Sequence, residues 1–258
     1  MLVHPNREKL QLLKFTGMLS ALEEQLQINT IHELSFEERL ALLLDREILV
    51  RENRRLASRL KQAKLKQQAC IEDIDFKHSR GLSQSVILSL ANCEWVRAHQ
   101  NILFIGPSGT GKTYLACAFA HKACLMGYST KYLRLTRLFQ ELKVAKGDGR
   151  YLKLMTQLAK VDVLILDDFG LNAFSPENRR DLLEILDDRH NARSTIVTSQ
   201  LPVALWHEHI GDPTLADAIL DRLVHSAHKL ELSGESLRKK NATNTKNSLT
   251  EKGESVKS

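Results

Sequence analysis

The feature that most constrains this chain is an apolar run that leads into a glycine-rich loop, NILFIGPSGTGKT at 101–113. The run at 102–105 predicts a buried strand, and the loop has the spacing GxxxxGK[ST]. Glycines at 106, 109 and 111 permit the tight turns that point backbone N–H groups at phosphate oxygens. A helix beginning near Lys112 directs its positive dipole end at the same oxygens. Strand, loop and helix together predict a nucleoside triphosphate site.

Two side chains of this loop carry specific chemistry. Lys112 is expected to contact the β- and γ-phosphates, and the Thr113 hydroxyl is expected to ligate Mg²⁺. We therefore predict that the chain binds ATP with Mg²⁺ and hydrolyses it. The predicted nucleotide-binding residues in this loop are Gly106, Pro107, Ser108, Gly109, Thr110, Gly111, Lys112 and Thr113.

A second strand candidate, VDVLILDDF at 161–169, ends in two carboxylates. After a P-loop, this arrangement predicts a Walker B strand. Asp167 is expected to hold Mg²⁺ through water, and Asp168 to orient or deprotonate the attacking water. Without the P-loop, two acids at a strand end would indicate no more than a turn.

Further apolar runs alternate with helical stretches through the middle of the chain. Strands are predicted at 102–105, 130–135, 161–167, 194–198 and 228–232. Alternating strands and helices predict an α/β fold, a parallel sheet flanked by helices. The carboxyl ends of parallel strands meet at one ligand crevice, so the polar end of the run STIVTSQLP at Thr198, Ser199 and Gln200 is a candidate phosphate or water contact. An ordinary strand-to-loop transition is the alternative.

The N-terminal region, 1–68, is predicted to be a small helical domain. Ser35 and Glu38 form a capping-box signature for a helix that extends to about Lys66. Between 45 and 66 the chain has eight basic residues against three acidic ones, within a net charge of +6. A solvated, salt-bridged helix and a helix that binds DNA or a partner both remain open. The predicted DNA-binding residues are Arg51, Arg54, Arg55, Arg59 and Lys61.

The remaining sequence sets the limits of the prediction. We predict an ATPase domain at 69–238 and a disordered, basic tail at 239–258, which has few large apolar residues. No apolar run is long enough to span a membrane and the N-terminus lacks a secretion signal, so a cytoplasmic protein is expected. The four cysteines have no zinc-binding spacing. No acidic triad for DNA cleavage is evident.

These motifs resemble the AAA+ ATPases of the bacterial helicase-loader (DnaC-like) and initiator branch. Within that branch the chain is most similar to the IstB-type transposition helper proteins. The stretches that carry the closer resemblance are LSFEERLALLLDREILVRENRRL, IEDIDF, ILDDFG, TIVTSQLP and SGESLR.

The resemblance implies roles that the residues alone do not settle. Gln200 corresponds to the sensor-1 residue, which is commonly Asn in the family. Arg222 corresponds to the arginine that acts on the ATP of a neighbouring subunit, and Arg238 to the sensor-2 arginine of the same subunit. Asp168 stands where most AAA+ proteins have Glu.

The resemblance also implies the partners. They are double-stranded DNA, a transposase and further copies of the chain in an ATP-dependent ring or helical oligomer, which assists the transposase in target selection and strand transfer. The alternatives are a replicative helicase loader, and a nucleotide-dependent binding switch with negligible turnover.

Overall fold

The computed structural model describes residues 5–76, 81–234 and 236. The chain forms two compact units, divided between Lys61 and Gln62. The tail predicted at 239–258 lies outside the described residues. No helix in the described part of the chain combines the length and the apolar character that a membrane span requires.

The first unit is helical. It contains α1 (Pro5–Leu12), α2 (Thr16–Gln25), a 3₁₀ turn (Asn29–Glu33) and α3 (Phe36–Ala63), whose last two residues belong to the second unit. The predicted capping box at the start of α3 is confirmed. The Ser35 N–H donates to Glu38 Oε2 over 2.8 Å, and the Glu38 N–H donates to Ser35 Oγ over 3.2 Å.

Helix α2 lies directly against α3 because Gly17 has no side chain. A Cβ there would come within 2.7 Å of the Arg46 carbonyl oxygen. Glu47 of α3 accepts hydrogen bonds from the N–H groups of Gly17 (2.7 Å) and Met18 (3.1 Å), which have no partner within α2. Burial raises the pKa of Glu47, but Arg51 and these two N–H groups lower it by more, so the net shift is downward. A charged Glu47 therefore fastens the two helices together.

The second unit is built on one parallel sheet. Its strands lie in the order β2-β3-β4-β1-β5. All five predicted strands are confirmed within two residues at each end. The strands are β1 (Asn101–Ile105), β2 (Thr130–Arg134), β3 (Val163–Phe169), β4 (Ser194–Ser199) and β5 (Ala227–Glu231).

Helices cover both faces of this sheet, as predicted for an α/β fold. Along β1, Ile102 and Phe104 belong to one buried core, and Leu103 and Ile105 belong to another on the opposite face. The helices of this unit are α4 (Gln84–Leu90), α5 (Glu94–Arg97), α6 (Lys112–Leu125), α7 (Leu135–Gly147), α8 (Tyr151–Lys160), α9 (Pro176–Arg189), α10 (Trp206–Ile210) and α11 (Pro213–Val224).

Candidate active site

The glycine-rich loop lies between the end of β1 and the start of α6, as its motif predicts. Gly106, Gly109 and Gly111 have φ angles of 146°, 84° and 97°, which residues with a Cβ rarely adopt. The loop also touches the chain that follows β5. A Cβ on Gly106 would lie 2.1 Å from the Leu232 carbonyl oxygen, and one on Gly109 would lie 2.1 Å from Ser236 Oγ. Both glycines are therefore required for close packing as well as for the turn.

The Lys112 side chain folds back over this loop. Its ammonium group donates to the carbonyl oxygens of Gly106 over 2.7 Å and Pro107 over 2.6 Å. The charge is therefore held inside the loop, where the N–H groups of a P-loop receive phosphate oxygens.

Asp167 is the centre of the polar contacts at the end of β3. Its carboxylate is fully buried. One oxygen, Oδ1, accepts hydrogen bonds from the hydroxyls of Thr113 (2.8 Å) and Thr198 (2.6 Å). The other, Oδ2, accepts from the Tyr132 hydroxyl (2.5 Å) and lies 3.5 Å from the Lys66 ammonium. Burial and this carboxylate raise the pKa of Tyr132, so its phenol remains a donor.

Asp168 is turned away from the strand by an irregularity in the backbone. Its φ angle is 63°, and the pairing of β3 with β4 shifts register between Leu166 and Phe169. Such bulges redirect side chains at functional sites. The Asp168 N–H donates to Thr198 Oγ1 over 3.0 Å, and Arg134 at the end of β2 lies 2.7 Å from its carboxylate. Asp168 is thereby held at the carboxyl edge of the sheet.

The oxygen ligands at this edge fit Mg²⁺. The Thr113 hydroxyl and the Asp167 carboxylate are hard oxygen donors that already contact each other, and Mg²⁺ is bound by a few such ligands together with water and phosphate oxygens. When bound, the ion neutralises negative charge on the β- and γ-phosphates. Thr198 and Tyr132 hold the carboxylate in place for that contact.

Thr198 and Gln200 differ in what they touch at the end of β4. The Thr198 hydroxyl bridges Asp167 and the Asp168 backbone, whereas Gln200 is exposed and its side chain has no hydrogen-bond partner within the described residues. The sequence pattern predicted a contact from Thr198, Ser199 or Gln200, and the family resemblance implied the sensor role for Gln200. Thr198 is the residue that bonds directly to the Walker B pair.

The two residues can be separated by mutation. Thr198→Val keeps the shape but removes the hydroxyl, so we expect ATP turnover to fall about tenfold or more, as loss of one positioned polar contact does. Gln200→Ala is expected to lower turnover only if Gln200 contacts the γ-phosphate after ATP binds. Steady-state phosphate release for both variants, with ATP affinity measured alongside, checks this. Native turnover in Thr198→Val would show that the bridge has no catalytic consequence.

Arg222 lies beside the amino-terminal end of β1, whereas the glycine-rich loop follows the carboxyl-terminal end of that strand. Its carbonyl oxygen accepts a hydrogen bond of 2.9 Å from Asn101, the first residue of β1, whereas the loop follows the last. Five residues of strand span about 16 Å, which is longer than an arginine side chain. The guanidinium contacts Asp187 and the Ala218 carbonyl oxygen. Arg222 therefore cannot reach the P-loop of its own subunit in this arrangement.

The last residues predicted from the sequence are only partly visible. Arg238 lies outside the described residues, although Ser236, two positions earlier, packs against Gly109. On α3, Arg51 pairs with Glu47 over 2.7 Å, and Arg54 donates to the Thr16 hydroxyl over 3.1 Å. Of the other basic residues predicted to bind DNA, Arg55 and Lys61 are exposed and Arg59 is half-buried.

Several residues of the site were not predicted. Tyr132 and Arg134 lie near the carboxyl end of a strand that was predicted, so the edge argument applied to Gln200 could have found them. Lys66 and Asp187 come from a linker and a helix end, and no local signal marks either one.

Comparison with known proteins assigns the chain to a family. The family model for IstB-like ATP binding proteins matches residues 8–245. The chain belongs to the IstB-like family of ATP-binding proteins. A putative insertion sequence ATP-binding protein of Sinorhizobium fredii is 52% identical over 93% of this chain and 98% of its own length. The IS21 putative ATP-binding protein of Pseudomonas aeruginosa is 35% identical over 92% of this chain and 90% of its own length. Both relatives are thus described as ATP-binding proteins of insertion sequences.

Solved structures agree with the AAA+ fold of this IstB-family protein. The DnaC helicase loader superimposes with a TM-score of 0.52 at 22% identity, over 64% of this chain and 97% of the loader. DnaA of Aquifex aeolicus bound to AMPPCP gives a TM-score of 0.55 at 17% identity, over 67% of this chain and 53% of DnaA. At these identities the likeness establishes the fold alone.

Proposed function

We propose that this IstB-family protein hydrolyses ATP with Mg²⁺, assembles on double-stranded DNA in its ATP-bound form, and assists the transposase of its insertion sequence in target selection and strand transfer. The observation that carries the proposal is the meeting of Lys112, Thr113, Asp167 and Asp168 at one edge of the sheet. These four groups supply what in-line attack of water on a γ-phosphate requires.

The chain's own residues perform the chemistry by positioning and by charge. The backbone N–H groups of the loop and Lys112 hold the phosphates, while Thr113 and Asp167 hold the metal ion. Asp168 orients the attacking water or accepts its proton. Arg134 pairs with Asp168 over 2.7 Å, so this pairing must loosen before the carboxylate can take up a proton.

The position of Arg222 supports a site shared between subunits. It cannot reach its own P-loop, yet 27% of its side-chain surface is exposed. An arginine that stabilises transition-state charge from a neighbouring molecule occupies such a surface position. ATP bound between two subunits then stabilises the oligomer, and its hydrolysis allows the subunits to separate. The position of Ser236 beside the loop supports a nucleotide contact by Arg238 within the same subunit.

A strand-transfer assay with the purified transposase tests the proposed function. With ATP, the protein should increase joining of transposon ends to target DNA. Asp168→Asn should bind ATP normally but hydrolyse it about a hundredfold more slowly, because it lacks the carboxylate that orients water, and should keep the DNA-bound assembly longer. The matched control is Asp188→Asn, which removes the same charge from an exposed position on α9. Strand transfer that is independent of the protein, or of ATP, would refute the proposal.

A helicase loader and a switch without turnover are the alternatives. The relatives that cover nearly the whole chain are insertion-sequence proteins, whereas the loaders resemble it only in fold, so the transposition role is favoured. Phosphate release measured with and without DNA separates an ATPase from a switch. A transposase reading frame beside the gene would separate the transposition helper from the loader.

The basic half of α3 is the proposed DNA contact. Arg54 bonds to Thr16 of α2, and Arg51 pairs with Glu47, which binds the start of α2, so their replacement would disturb the unit. Arg55→Gln with Lys61→Gln removes two exposed charges from the basic half of α3. If both contact phosphates, the slope of log affinity against log salt should become shallower by about 0.9 per contact. Lys153→Gln with Lys160→Gln on α8 is the matched control. If the salt slope is the same for the α3 variant as for the α8 control, DNA binds at a surface other than the basic half of α3.

A further inference from the structure

Helix α3 has far more apolar surface than the first unit covers. Of its 28 residues, the buried ones are Glu47 and Ala63. Ten of the eighteen large apolar side chains that are exposed in the described residues lie between Leu12 and Leu49. Exposed apolar surface on this scale marks a binding surface.

This surface contains a groove between α2 and α3, with a volume of about 570 Å³. We call it the α2/α3 groove. Its floor is formed by Ala21, Ile28 and Ile31 on one side and by Leu42 and Leu49 on the other. Along α3, Leu42 to Leu49 spans seven residues, or about two helical turns at 1.5 Å per residue. Opposite them, Ala21 lies on α2, and Ile28 and Ile31 lie in the segment that follows it. Two antiparallel helices with an open apolar seam of this length match the shape of a third helix.

The charge around the α2/α3 groove favours a basic occupant. Glu24 and Arg46 line the groove and neutralise each other in an ion pair of 2.7 Å. Glu33 and Asp45 also line it, are exposed, and have no ion-pair partner within the described residues. The groove therefore carries two uncompensated negative charges on a protein whose net charge is +6. A DNA backbone would be repelled here, whereas a helix flanked by Lys or Arg would be attracted.

We propose that the α2/α3 groove binds an amphipathic helix of the transposase whose apolar stripe is flanked by basic residues. The proposal rests on the transposase partnership proposed above and assigns it a surface. Leu42 and Leu49 receive the apolar stripe, while Glu33 and Asp45 pair with the flanking cations. The basic half of α3 remains available for DNA, so one helix serves both partners with different halves.

The test measures binding of the purified transposase to the full-length protein, without DNA, by calorimetry. Leu42→Ser with Leu49→Ser removes the apolar anchors. Glu33→Lys with Asp45→Lys reverses the charge at exposed positions and leaves the apolar anchors unchanged. Each pair should weaken binding about tenfold or more, as loss of interface anchors does, with ATP turnover unchanged. Leu88→Ser with Leu152→Ser, exposed residues of the second unit, is the matched control and should leave affinity unchanged.

Three outcomes would overturn the proposal, and they are distinguishable. Native affinity in both groove variants shows that the transposase binds elsewhere, which leaves the proposed function intact. If the groove variants sediment differently from the unaltered protein in the absence of transposase, yet still bind the transposase, the groove binds a second copy of this chain. Absence of transposase binding by the unaltered protein refutes the partnership itself, and with it the proposed function.

Discussion

Lys112→Ala is expected to reduce ATP affinity about a hundredfold. The ammonium is a charged donor held inside the loop by two carbonyl oxygens, and two charge-assisted hydrogen bonds to phosphate contribute roughly 3 kcal/mol or more. Without it the loop keeps its N–H groups but loses the positive charge that opposes the triphosphate. Titration with a fluorescent ATP analogue measures the effect.

Lys122→Ala is the matched control for this loss. Lys122 lies on the same helix, pairs with Glu72 over 3.6 Å and is remote from the loop. Its variant should bind ATP with native affinity. Equal ATP affinity in the Lys112→Ala and unaltered proteins would contradict the assignment of the loop as the nucleotide site.

Arg222→Ala is expected to lower ATP turnover about a thousandfold while leaving ATP binding to a single subunit nearly intact. The physical reason is distance, since Arg222 lies beside the start of β1 and the P-loop lies beyond its end. If the arginine completes the site of a neighbour, its loss removes transition-state stabilisation and the ATP-dependent contact between subunits together. Phosphate release and sedimentation with ATP measure the two effects.

Arg180→Ala provides the control for removal of a positive charge. Arg180 is exposed on α9, so its replacement should change neither turnover nor assembly. Loss of ATP binding in the isolated Arg222→Ala subunit would instead indicate that Arg222 supports the fold, through its contacts with Asp187 and α11.

The fold and the P-loop were predictable because their signals are local. The run at 102–105, the three loop glycines and the two acids after Leu166 each define a strand end or a turn without reference to distant residues. Side-chain contacts across the sheet are different, because they depend on register. Arg134 pairs with Asp167 in the strand ladder, yet its ion pair is with Asp168. The bulge that redirects Asp168 has no signature in the sequence.

Helix α3 shows a second limit of sequence reasoning. Its charge excess was evident, and the capping box gave its start. Glu47 and Arg51 are spaced for a surface ion pair, and they form one, but Glu47 is buried because it also binds the start of α2. That contact, between residues thirty positions apart, decides which apolar residues stay uncovered. The α2/α3 groove could not be found without it.

The central claim is that ATP is hydrolysed between subunits, and a mixture of two inactive variants tests it most directly. Lys112→Ala keeps Arg222, and Arg222→Ala keeps an intact P-loop, so a mixed assembly contains sites with both groups. We predict that phosphate release, which is strongly reduced in each variant alone, recovers in part when the two are mixed with ATP and duplex DNA. No recovery, with both variants folded and present in the same assemblies, would contradict a shared site.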